Sequence, residues 1–290
     1  MNKLLLGLSA VFAIIFCACT DDTDQQKKIA GLEQRLAAQF TNERSDSLVN
    51  LYRDLVKAHP DDHANNLRYL TRAAEIQFVK RKDGAPATRW LDDAMAHHSE
   101  GQDLTEIMGL YARIYNGVQY HTESTYSIDT KGMSSMQTYL LSNNAWLDSA
   151  LVRIDRKMTV NGLVTDKDLA NRYIEISEGY AAITKSNDKY ADLLSMAGGL
   201  AKTIESYNKA IVLYHRLSER LPEHPKARTA LFMKGFIYEN DLGDTGKAKA
   251  TYEEFLQKYP DDADYADDVK MALKTLGKSA EEIVKGFQSQ

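Results

Sequence analysis

Between Leu231 and Pro260, small, aromatic and proline residues fall where a pair of tightly packed helices would need them. Gly235 and Ala248 are small where two helices must touch. Tyr238, Tyr252 and Phe255 are large where the space between them must be filled. Pro260 closes the pattern, since interior helix positions exclude proline. Parts of the pattern recur. Tyr52 and Leu55 precede Pro60, and Tyr214 and Leu217 precede Pro222, with the spacing that Tyr252 and Phe255 keep before Pro260. Pro60-Asp61-Asp62 and Pro260-Asp261-Asp262 share a turn in which an Asp can cap the next helix by accepting orphan amide hydrogens. Capping explains these carboxylate pairs more simply than acid–base chemistry does. Hairpins of this kind cannot bury their apolar faces alone. Stacked on one another they share a core and leave a concave surface suited to binding.

The rest of the chain is also helical in pattern. Apolar residues recur at helical spacing almost throughout, and no sustained alternation marks strands, so the fold class is all-α. The five prolines, Pro60, Pro86, Pro222, Pro225 and Pro260, fall between periodic segments. Ile29, Leu32 and Leu36 place a first helix over about 26–40. Residues 103–120 form another, and the polar stretch 123–132 reads as a mobile loop. Met136, Leu140, Trp146, Leu147, Leu151 and Ile154 mark one long amphipathic helix. Thr165 and Asp168 read as a capping box for a helix carrying Tyr173, Ile176 and Tyr180. Lys270 stands where the repeat would place glycine, so its helix should end the array. Ser279 and Glu282 form a capping box for a last helix that folds Ile283 and Phe287 back onto that end.

Residues 188–276 resemble the tetratricopeptide repeat (TPR). Leu194, Ala197 and Gly198 match a first helix, and Ala210, Tyr214, Leu217 and Pro222 a second. Leu231, Gly235 and Tyr238, then Ala248, Tyr252, Phe255 and Pro260, match the next unit, with one extra residue in the turn 240–245. A degenerate unit holds Ala73, Ala74 and Phe78, then Ala87, Leu91 and Ala94, around Gly84 and Pro86. The resemblance implies a TPR-like helical-hairpin superhelix, an α-solenoid, with an irregular helical middle segment. It implies packing roles for Gly198, Ala210, Gly235 and Ala248. It places Thr229, Phe232, Phe236 and Glu239 on a partner groove, with Asp192, Ser195 and Lys202 one unit earlier. Phe232 and Phe236 admit two readings, an aromatic clamp or packing against the terminal helices. The second is favoured because helical aromatic stripes are usually core.

The N-terminus reads as an address. Lys3 precedes an uncharged run, Leu4 to Phe16, too short to span a bilayer and suited to a signal h-region. Phe16-Cys17-Ala18-Cys19 resembles a bacterial lipoprotein lipobox, with Ala18 before the modified Cys19 and Phe16 as its departure. The resemblance implies cleavage before Cys19 and lipid attachment there, which leaves no other cysteine in the mature chain. The acidic run at 20–24 resembles the export signal of Bacteroidetes-type surface lipoproteins, and equally suits a solvated tether. Localisation is therefore the cell envelope, anchored at the outer membrane, with the leaflet open. The segments are a signal peptide over 1–18, an acidic tether over 19–25 and an N-terminal, degenerate-repeat segment over 26–100. An irregular helical segment follows over 101–184, and a C-terminal array with capping helices over 185–290.

Composition and motifs then exclude other classes. A net charge of −5 and a pI near 5.8 argue against nucleic acid as a partner. No HExxH, GxSxG, P-loop or GxGxxG occurs, so no enzyme and no cofactor is expected. His59 and His63 straddle Pro60. His97 and His98 would need help from elsewhere to hold a metal, and read as solvated helix-end residues, so no metal site is expected. Most of the sixteen tyrosines fall at filling positions. The chain is thus expected to be a non-catalytic, lipid-anchored envelope scaffold. Its expected partners are other envelope proteins, in outer-membrane assembly or envelope coordination. The alternative is a glycan-capturing surface lipoprotein of a polysaccharide-uptake system, by analogy with longer TPR-containing starch-utilisation lipoproteins.

Overall fold

The computed structural model describes residues 20–80, 84–120, 130–278 and 281–282. They form helices joined by short turns, in two compact units, 1–150 and 151–290. The signal segment, Cys19, most of the polar stretch 123–132, and Ser279, Ile283 and Phe287 lie outside the described residues. Among the described residues no helix is long and apolar enough to cross a membrane.

The first unit holds α1 (Thr20–Ala38), α2 (Asn42–Ala58), α3 (His63–Glu75), α4 (Gly84–His98), α5 (Thr105–Tyr120) and α6 (Thr130–Ser142). Helix α1 begins at Thr20 rather than near Gln26, and so takes in the acidic run. Neighbouring helices pack in sequence around Leu48, Tyr52, Leu70, Leu91, Ile107 and Tyr111, all fully buried. Tyr52 stacks on Tyr69 with ring centroids 5.3 Å apart, and its hydroxyl donates to Glu33 Oε1 at 2.6 Å. Tyr111 makes the same kind of bond to Asp92 Oδ1 at 2.7 Å.

The second unit holds the end of α7 (Asn144–Met158), a two-residue ladder of β1 (Thr159–Val160) and β2 (Leu163–Val164), then α8 (Lys167–Ile183) and α9 (Asn187–Thr203). After these come α10 (Tyr207–Arg220), α11 (Pro225–Phe236), α12 (Thr245–Lys258) and α13 (Ala266–Thr275). Three expectations for this stretch change. The long amphipathic helix is two, α6 and α7, parted at Asn143, whose side-chain amide donates to Tyr139 O at 2.9 Å. Asparagine competes for backbone in this way and interrupts helices. The hairpin turns on Asn161 and Gly162, both with positive φ (51° and 80°), which matches a type I′ turn. The cap of α8 is Asp166, accepting from Asp168 N and Leu169 N, while Thr165 closes the hairpin by donating to Met158 O.

The middle segment 101–184 is not a separate body. Helices α5 and α6 pack with α3 and α4 in the first unit, and α8 packs on α9 in the second. The recurrent turn, however, is one structure used three times. His59, Leu221 and Tyr259 share a backbone conformation (φ −130° to −135°, ψ 57° to 63°). Each carbonyl accepts from the amide three residues on, at Asp62, His224 and Asp262. Asp62 then caps α3 by accepting from Asn65 N, and His224 Nδ1 accepts from Lys226 N. Asp262 instead accepts from Asp264 N and Tyr265 N, and so caps the turn ahead of α13.

Candidate functional site

In the second unit α9, α11 and α13 are the first helices of successive hairpins, and α10 and α12 the second helices. A Cβ built on Gly235 would lie 2.5 Å from Tyr252 Cε1, and one on Gly198 2.7 Å from Tyr214 Cε1. Each glycine is therefore small because a tyrosine ring of the next helix lies against it, where a Cβ would be. Ala210 and Ala248 are fully buried on those next helices. The small residues thus answer to a ring and not to close helix axes alone. Burial pushes the Tyr214 hydroxyl up to about 12. It raises Tyr252 further, helped by a bond from that hydroxyl to Glu239 Oε2 at 2.7 Å.

The extra residue of the turn 240–245 is absorbed in a π-helical turn, Ile237–Asp241, in which Leu242 N donates to Ile237 O. Gly243, at φ +63°, then reverses the chain, with Asp244 N donating to Tyr238 O. Helix α3 ends the same way, in a π turn at Ile76–Lys80.

The expected groove residues separate. Phe232 stacks on Tyr265 with centroids 4.5 Å apart and packs on the core of Leu231, Tyr252, Phe255 and Val269. Glu239 is bonded to Tyr252. Phe236 is half-buried, 6.3 Å from Phe232, and Lys202 Nζ lies 5.4 Å from its ring centroid. Three polar contacts tie α9 to α11 and its π turn: a hydrogen bond between His224 Nε2 and Asp188 Oδ1 at 3.2 Å, and ion pairs of Asp192 with Lys226 and of Lys202 with Asp241 at 3.3 Å. Ser195 and Thr229 are partly exposed. At the last first helix Lys270 is exposed and pairs with Asp267 at 3.0 Å. Among these residues Phe236 is thus the aromatic left facing outward. On α8, Glu178 is fully buried and accepts from Lys209 Nζ at 3.0 Å and Arg216 Nη1 at 2.9 Å, both on α10.

This geometry, a glycine under a tyrosine ring with the terminating turn of Tyr259 and Pro260, sits within a matched family segment. Residues 229–262 match the tetratricopeptide repeat family. The chain contains a TPR repeat. Such repeats are protein-interaction scaffolds and typically non-catalytic. A solved structure, the TPR2AB domain of yeast Sti1 in complex with pHSP90, is 15% identical, with 89% of this chain and 100% of that chain covered and a TM-score of 0.34. No curated protein matches the chain.

Of the two histidines that end α4, His97 is exposed as expected and His98 is not. His98 is only 6% exposed rather than solvated, and its Nδ1 lies 3.0 Å from Nδ1 of His63. The signal was only partial. His63 opens α3 and His98 closes α4, so a hairpin of these two helices brings them to one end.

Proposed function

We propose that the chain is a lipid-anchored cell-envelope scaffold that holds a segment of another envelope protein along the first helices of its 185–290 array. Its place would be outer-membrane assembly or the coordination of envelope machinery. One observation carries the binding part. The repeat at 229–262 consumes its glycine, its tyrosine and Phe232 in packing, and leaves Phe236 half-exposed beside Lys202. An aromatic ring next to a cation offers apolar area and a donor to an incoming segment. The address rests on the run from Leu4 to Phe16 ahead of Cys19. A cysteine carrying more than one acyl chain would be held stably, where a single chain gives marginal binding.

Crosslinking in intact cells, followed by capture of the chain, tests both parts. A defined envelope protein should be recovered with the wild type and lost with Phe236→Ala of unchanged helicity. Cys19→Ser should leave the membrane fraction. Saturable glycan binding without a protein partner would sink the scaffold reading, and a Cys19→Ser chain still bound to membrane would sink the anchor.

A further inference from the structure

We propose that an open depression in the first unit, between α2 and α4, binds an acidic peptide segment. It encloses about 440 Å³ and is lined by Arg53 of α2, Gln77 of the π turn after α3, and Pro86, Arg89, Trp90 and Asp93 of α4. Its volume lies within the range of ligand sites.

The lining is not a neutral surface. Gln77 is only 8% exposed and lines the depression. The Arg89 guanidinium has no ion pair or hydrogen bond among the described residues. Arg53 lies over the Trp90 ring, 5.2 Å from its centroid, and gives only Nη1 to Asn50 Oδ1 at 2.8 Å. Four of its five N–H donors are left for a ligand. Stacking on the indole orders this fork before a ligand arrives. Trp90 is itself held by packing on the core around Tyr52 and Leu55. Asp93 is the one acidic group of the lining, and it is engaged by His97 Nδ1 at 3.0 Å. Two cations thus outweigh one occupied carboxylate, on a chain whose net charge is −5.

Guanidinium forks match carboxylates bidentately, and the amide supplies a further donor. The indole supplies a flat apolar wall that a bare anion would not use, whereas a side chain flanking a carboxylate in a peptide would. The site uses no residue of the 185–290 array, so its failure leaves that reading intact.

The test uses the full chain with Trp146→Phe, so that Trp90 is the sole reporter of indole emission. It is titrated with a peptide alternating Glu and Leu, with the same peptide carrying Gln for Glu, with glucuronate, and with inorganic phosphate. The Glu peptide should change the emission saturably. Arg89→Ala, at an exposed position, should weaken binding at least tenfold, and Gln77→Leu several-fold with helicity retained. Absence of a saturable change with the Glu peptide overturns the proposal. So does equal binding of the Gln peptide, of glucuronate or of phosphate, or wild-type binding by Arg89→Ala.

Discussion

At the scale of single residues, two adjacent glycines of α9 should answer opposite ways to one substitution. A Cβ on Gly198 would sit 2.7 Å from the Tyr214 ring, which is itself buried and cannot swing away. A Cβ on Gly199 would meet only Tyr214 Oη, at an ordinary 3.7 Å. Alanine gains about 1 kcal/mol over glycine in a helix interior. Overpacking costs about 1–3 kcal/mol. Gly198→Ala should therefore lower the melting temperature and Gly199→Ala raise it; equal shifts would refute the ring as the reason for Gly198. The small residue was legible in the sequence, and the ring that demands it was not, because only the register of α10 places Tyr214 there. His98 makes the second prediction at this scale. Burial first, and the neighbouring His63 next, hold its imidazole below its ordinary value of 6.5, with Asp93 opposing and His97 adding to the lowering. The unfolded chain therefore takes up a proton first as pH falls. Stability should drop from about pH 6.5 downward, until folded His98 itself titrates. The Nδ1 contact with His63 fits this, since two protonated rings leave no acceptor between them. Urea midpoints between pH 8 and pH 5 should fall less steeply in His98→Gln than in the wild type.

Elements were readable where their pattern was long and unreadable where it was short. The helices of the array carry three or more apolar turns each, and the extra residue at 240–245 foretold an irregular turn, though not its π geometry. A ladder two residues long has no alternation to detect, so only the Asn161-Gly162 pair could have announced the hairpin. Ser142-Asn143-Asn144 was likewise the one sign that an apparently continuous stripe is two helices. Contacts between elements are the least legible, and Glu178 shows why. Nothing in the sequence of α8 distinguishes this glutamate from its solvated neighbours, yet its side chain is fully buried between α8 and α10. Lys209 and Arg216 lie two helical turns apart on one face of α10 and reach it together. The cations keep 31% and 26% of their side-chain surface in water, whereas the carboxylate keeps none. The pair should be asymmetric for that reason. Replacing both Lys209 and Arg216 with Met takes two cations away from a dehydrated carboxylate, and should cost about 3 kcal/mol or more. Glu178→Gln leaves two cations that can turn to solvent, and should cost clearly less. Urea unfolding of both variants decides it, and equal losses would refute the asymmetry.

For the molecule as a whole, the division at 150/151 falls inside α7, a helix with an unbroken apolar stripe, so no composition shift or linker could announce it. The segment 101–184 is irregular as sequence, yet its helices join repeat-like neighbours in either unit. Helical-hairpin arrays owe their stability to contacts between successive hairpins, not to contacts across the chain. The second unit meets that description, because α8 to α13 each pack on the next, around buried Leu194, Tyr214, Leu231, Tyr252 and Phe255. Its size is also sufficient for a core of its own. A fragment cut at the division would start mid-helix and expose Leu151. One beginning at Asn144 keeps α7 and the hairpin that leads into α8. Residues 144–278 should therefore fold alone, with a helical circular dichroism spectrum and a single cooperative melt. Gly198→Ala should then be as destabilising in the fragment as in the full chain, since the Tyr214 ring it would meet lies within the fragment. A fragment that melts without cooperativity, or that ignores this substitution, would show that the array draws its order from the rest of the chain.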